Sequence, residues 1–122
     1  MTEEGKDFHK ELRTVIDRFV HGVYDATQKF PKDELFGITS QLRRAALSVA
    51  LNYVEGYARQ RSAVLKNFLE IAYGSLKESE YLLAFSQERD FLDKKRADEL
   101  LRLADRIGGM LWSTMKQIRR TE

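Results

Sequence analysis

The stretch TSQLRRAALSVALNYVEGY, residues 39–57, decides how this chain folds. It is too apolar to lie on a surface and too studded with polar groups to be ordinary core. Stepping ~100° per residue puts Leu42, Ala45, Ala46, Val49, Ala50 and Tyr53 on one helical face. Leu47, Leu51 and Val54 form a second apolar face, and Arg44, Ser48 and Glu55 run between the two, with Asn52 at the edge. A helix apolar on two sides needs cover on two sides. In a domain this small the second cover is expected from a partner subunit, so Leu47, Leu51 and Val54 are the expected oligomer interface.

The flanking sequence repeats the helical pattern. Upstream, Phe8, Leu12, Val15, Ile16, Phe19, Val20 and Val23 keep the 3–4 spacing of a helix over residues 6–29, after a frayed start at residues 1–5. Phe30-Pro31 ends that helix, because the residue before proline is pushed out of the α region. Pro31 then opens a short turn through Leu35, and Gly37 breaks it. Thr39 or Ser40 is the expected N-cap of the second helix, residues 39–58. Ser62 is the expected cap of a third, residues 62–88, whose inward face reads Val64, Leu65, Phe68, Ile71, Ala72, Ser75, Leu76, Ser79, Leu82 and Leu83. The small side chains in its middle allow a neighbouring helix to come close. Asp93 caps a fourth, residues 94–119, with Ala97, Leu100, Leu101, Ala104, Ile107, Leu111, Met115 and Ile118 inward and Trp112 at the margin. Gly108 inside that stripe implies a close crossing, since it costs about 1 kcal/mol relative to alanine. The expected fold is all-α: one antiparallel up-and-down four-helix bundle spanning residues 1–122, assembled into a homo-oligomer.

Composition agrees. The chain has 122 residues, 43% apolar and 33% charged, enough for one hydrophobic core. It has no cysteine, which excludes disulfides and thiolate metal sites. No apolar run approaches the ~20 residues of a membrane span, and the N-terminus is no signal peptide, so a cytoplasmic protein without a membrane partner is expected. The formal charge of +2 permits nucleic acid without indicating it.

Several residues carry the combined pattern TSQLRRAA (39–46), Ser48, Asn52, Glu55-Gly56-Tyr57 and AYGSLKE (72–78), preceded by FPKDELFGITSQ (30–41). In these the chain resembles a bacterial four-helix bundle family that includes proteins encoded in intervening sequences of 23S ribosomal RNA genes. It departs from the family's usual pattern at Val49, where a proline is common, and at residues 51–54, which points to a straighter second helix. The resemblance implies an up-and-down bundle, a ring-like homopentamer and no enzyme activity. A bundle of similar architecture works with a reverse transcriptase and nucleic acid in diversity-generating retroelements, an analogy at the level of fold.

Candidate sites are few. Arg43, Arg44, Ser48, Asn52, Glu55 and Glu78 are expected to form a buried structural network, with Arg44 or Arg43 paired to Glu55 or Glu78, because a buried guanidinium needs a carboxylate. The alternative is a polar pocket or ligand site, with Arg44, Glu55 and Glu78 as its working groups, but no nucleophile or base accompanies these charges. His9 and His21 point in different directions around one helix, and no Glu-x-x-His pair is present, so no metal or cofactor is expected. Glu78 and Glu80, two residues apart, face different sides and make no acid–base pair. On the fourth helix Lys95, Arg102, Arg106 and Arg120 line one strip, and Arg59, Arg61 and Lys66 add charge near the second turn. These are the candidate phosphate contacts. Asp98, Glu99 and Asp105 also allow the strip to be a plain solvated face. Without interleaved aromatic residues any such binding would be backbone-directed and salt-sensitive. The expected partners are further copies of the chain, with RNA or DNA, or another protein, as alternatives.

Overall fold

The computed structural model describes residues 2–59 and 61–121, with side chains through Ile118. Its helices are α1 (Glu3–Thr27), α2 (Ser40–Ala58), α3 (Ser62–Glu88) and α4 (Lys94–Thr121), and there is no strand among the described residues. Each helix packs on the two beside it, in the cyclic order α1, α2, α3, α4. The cross-helix bonds show the directions. His9 meets Tyr53 and Tyr57 at one end of α1, and Thr27 meets Arg43 at the other. Arg44–Glu78 with Ser48–Ser75 shows the same for α2 and α3, and Arg96–Gly22 with Arg106–Glu11 for α1 and α4, so neighbouring helices run antiparallel and the chain folds up and down.

The expected inward faces of α1, α2 and α4 form the core. Leu12, Ile16, Phe19, Leu42, Leu100, Ile107 and Leu111 are buried, together with Leu69, Leu76 and Leu83 of α3. On α3 the expectation needs correcting. Leu69 is buried and was absent from the expected face, whereas Ile71 is 52% exposed. The inward direction of α3 is set by Ala72, Leu76, Ser79 and Leu83, and Ile71 sits ~100° away from Ala72.

The helix ends differ from expectation in informative ways. Met1 lies outside the described residues. α1 begins at Glu3, inside the stretch expected to fray, where the Thr2 hydroxyl accepts from Gly5 N–H at 3.0 Å and Glu3 and Glu4 complement the helix dipole. It ends at Thr27, and residues 28–30 bond three residues back before Pro31 turns the chain. A 3-10 turn (Lys32–Glu34) and a π-turn (Leu35–Thr39) lead directly into α2. Thr39 is helical and caps nothing; the Glu34 carboxylate does the work, accepting from Ile38 N–H at 3.2 Å. Gly37 permits this, since a Cβ there would lie 2.6 Å from Glu34 Oε1. Ser62 is the first residue of α3, not its cap, while Asp93 caps α4 by accepting from Arg96 N–H at 2.8 Å. Gly108 does not mark the closest crossing: a Cβ there would meet Leu76 at an ordinary 3.4 Å, against 2.7 Å to Leu100 at Gly22.

Candidate interaction surfaces

The α2–α3 seam is built from small polar side chains. The Ser48 and Ser75 hydroxyls bond at 2.8 Å, and Asn52 Nδ2 donates to Ser48 Oγ at 3.0 Å and to its carbonyl at 2.8 Å. The expected pair of Arg44 and Glu78 forms across the same seam. It is not buried, however, as the side chains are 57% and 42% exposed. Nor do the six residues make one network. Glu55 pairs with Arg59 at the end of its own helix, and Arg43 finds no carboxylate among the described residues. Arg43 Nε instead donates to Thr27 Oγ1 at 2.7 Å while its guanidinium lies over Tyr24, fastening the start of α2 to the end of α1. The planar cation stacks on an aromatic face and stays partly solvated, so it needs no counter-ion.

Beyond the seam lies the second face of α2. Leu47, Leu51 and Val54 are all exposed, Leu51 at 59%. The Ser48–Ser75 bond sets the register, so Leu51, a turn after Ser48, stands level with Ile71, a turn before Ser75. Tyr81 and Phe85 continue the exposed apolar side chains along α3, and Phe36, 93% exposed, stands before α2. The chain by itself leaves this face uncovered.

At the other side of α2, His9 is held between two tyrosines. Tyr53 O–H donates to the His9 carbonyl at 3.4 Å, which leaves its oxygen to accept from His9 Nδ1 at 3.2 Å. Nε2 then accepts from Tyr57 O–H at 3.3 Å, the pattern of a neutral imidazole protonated on Nδ1. Burial lowers the His9 pKa, pushes Tyr53 up to about 12 and raises Tyr57 as well. Among the described residues no group of three or more His, Asp and Glu is placed to hold a metal ion. Glu78 and Glu80 are directed apart, to Arg44 and to Lys77.

The α4 strip is only partly assembled. Lys95 and Arg102 are exposed, and Arg106 pairs with Glu11 of α1. The Arg120 side chain lies outside the described residues. Arg59 and Arg61 sit, as expected, in the α2–α3 connection, at the end of the bundle where α4 finishes, whereas Lys95 stands where it begins. What sequence reasoning missed is the contribution of α1. Arg18, His21 and Asp25 join Arg96, Glu99, Arg102 and Arg106 around a cleft of about 550 Å³ between α1 and α4. The available signal was Gly22, buried within α1, whose missing Cβ lets Leu100 approach. A smaller cavity of about 170 Å³ between α3 and α4 is lined by Glu70, Tyr73, Trp112, Met115 and Lys116. Its two rings lie 5.9 Å apart, with Lys77 over Tyr73 and Lys116 over Trp112.

A family model described as 23S rRNA-intervening sequence protein matches residues 12–113. The chain belongs to this family. The match begins at Leu12 in the core of α1 and ends at Ser113 on α4, so it takes in all four helices. A crystal structure of a protein of unknown function from the S23 ribosomal protein family of Bacteroides thetaiotaomicron is similar over 86% of this chain and 98% of its own. The TM-score is 0.80 at 20% sequence identity, a likeness of fold. No curated protein matches the chain. No helix among the described residues is long and apolar enough to cross a membrane.

Proposed function

We propose that this member of the intervening-sequence family is a non-enzymatic, homo-oligomeric interaction protein that assembles through the outer face of α2 and α3. The observation that carries the reading is the exposure of Leu47, Leu51 and Val54 on α2, with Ile71 of α3 exposed at the level of Leu51. Large apolar side chains exposed together on one helix face mark an interaction site. A second copy is the occupant because the rim carries both signs of charge, in the pairs Arg44–Glu78 and Glu55–Arg59. Identical surfaces with such a rim can complement one another, whereas a rim of one sign would repel its own copy. A closed ring follows if the contact is head-to-tail and the rotation closes. The family's resemblance to pentameric bundles favours five copies, about 71 kDa from a 14.2 kDa chain.

Light scattering on the wild-type protein and on Leu51→Asp tests this. The wild type is expected at a multiple of the chain mass and the variant at a single chain, with helical circular dichroism retained. A monomeric wild type, or a variant of unchanged mass, overturns the reading.

A second reading, binding to RNA or DNA, draws on Lys95 and Arg102, exposed cations of α4. The two readings concern different faces and are compatible.

A further inference from the structure

Arg18 of α1 and Arg102 of α4 line the same cleft, and neither has an ion pair or hydrogen bond among the described residues. Arg96 and Arg106 line it too, each tied down. Arg96 donates to the Gly22 carbonyl at 3.3 Å and to Glu99 at 3.0 Å, and Arg106 pairs with Glu11. The cleft therefore holds four guanidiniums against two lining carboxylates, Asp25 and Glu99, and the Glu11 that pairs with Arg106. Clustered cations repel one another, and the repulsion is relieved when an anion lies between them. Guanidinium is the side-chain group whose planar fork matches phosphate oxygens in pairs.

The form of the cleft narrows the ligand. Its lining holds no Phe, Tyr or Trp and one ring, the His21 imidazole, so a run of bases has no stacking platform. Its arginines extend along α4 from Arg96 to Arg106, roughly 15 Å at 1.5 Å per residue. That length spans about four phosphates of one strand at ~3.4 Å of duplex axis each. We propose that the α1–α4 cleft binds the phosphate backbone of double-stranded nucleic acid, with Arg18 and Arg102 as the phosphate contacts and Arg96 and Arg106 as pre-positioned flanks. This deepens the nucleic-acid reading by naming the site and adding a helix to it.

The test is fluorescence anisotropy with a labelled mixed-sequence duplex, at salt from 50 to 200 mM (about the range over which backbone binders lose most affinity). Wild type, the Arg18→Gln/Arg102→Gln pair and the Arg59→Gln/Arg61→Gln pair are compared, with folding checked by circular dichroism. The first pair is expected to weaken binding at least about tenfold and to lower the slope of log K against log salt by about two, at ~0.9 per phosphate contact. The second pair is expected to bind like wild type. Arg18→Lys/Arg102→Lys keeps the charge, so it should retain most of the slope while losing part of the affinity. If wild type binds and the Arg18/Arg102 pair binds equally well, the cleft is wrong and nucleic-acid binding elsewhere survives. No duplex binding at low salt defeats both. Competition by pyrophosphate at a cleft that ignores duplex would make it a small-anion site and overturn the proposal.

Discussion

At the scale of single residues, His9 links titration to packing. Its neutral ring satisfies two tyrosine hydroxyls at once, and protonating Nε2 would turn the bond with Tyr57 around at a site where burial already disfavours the cation. The folded state thus lowers the imidazole pKa below its unfolded value near 6.5. The unfolded chain binds the proton more readily, so stability is full above about pH 6.5 and falls as pH drops through the folded pKa. Thermal melts at pH 8 and pH 5 should show this loss (roughly the range either side of the imidazole), and His9→Gln should flatten the imidazole's share of it. A slope unchanged in His9→Gln would place the titration elsewhere. Thr39 offers a second prediction. Its hydroxyl is buried with no hydrogen-bond partner among the described residues, and an unmade buried bond costs on the order of 1–3 kcal/mol. Thr39→Val keeps the shape and removes the polar atom, so it should raise unfolding free energy by about 1 kcal/mol in denaturant titration.

At the scale of elements, glycines on different helices have opposite expected effects. Gly22 lies where α1 crosses α4, and a Cβ there would meet Leu100 Cδ2 at 2.7 Å. Gly22→Ala should therefore destabilise the bundle by about 1–3 kcal/mol through overpacking, and it should disturb the arginine cleft above the crossing. Gly109 on α4 has nothing within 4 Å of the same position. Gly109→Ala should stabilise by up to about 1 kcal/mol through helix propensity alone. Denaturant midpoints for the two variants should move in opposite directions. Helical periodicity located the stripes of α1 and α4 because each has one strong inward direction, and on α2 it separated an inner apolar face from an outer one. It misjudged Ile71 because α3 is apolar over a wide arc, and only packing against α2 selects which part is core. The turn before α2 was legible as a break at Gly37, but not as a cap made by Glu34, whose reach depends on a backbone path.

For the molecule as a whole, the proposed surfaces lie on opposite halves of the bundle and respond oppositely to salt. Self-association through Leu51 and Ile71 is apolar, so raising salt should preserve or strengthen it. Binding in the arginine cleft releases counterions from phosphates, so raising salt should weaken it. Sedimentation of the protein with and without duplex across a salt series separates the two. The assembly should persist at a salt concentration that strips the duplex away, and simultaneous loss of both would show that they share one surface.

The sequence by itself determined the helices, their order, most of the core and the uncovered second face of α2, because those follow from periodicity along a single chain. It also carried the family pattern in residues 39–57 and 72–78. Tertiary structure decided what depends on two elements meeting. It moved Arg44 and Glu78 to the surface, separated Arg43 and Glu55 from them, and set Arg59 and Arg61 at the opposite end of the bundle from Lys95. It placed Arg18 opposite Arg102 as well, a proximity that arises because Gly22 lets two helices approach, and spacing along either helix does not encode it.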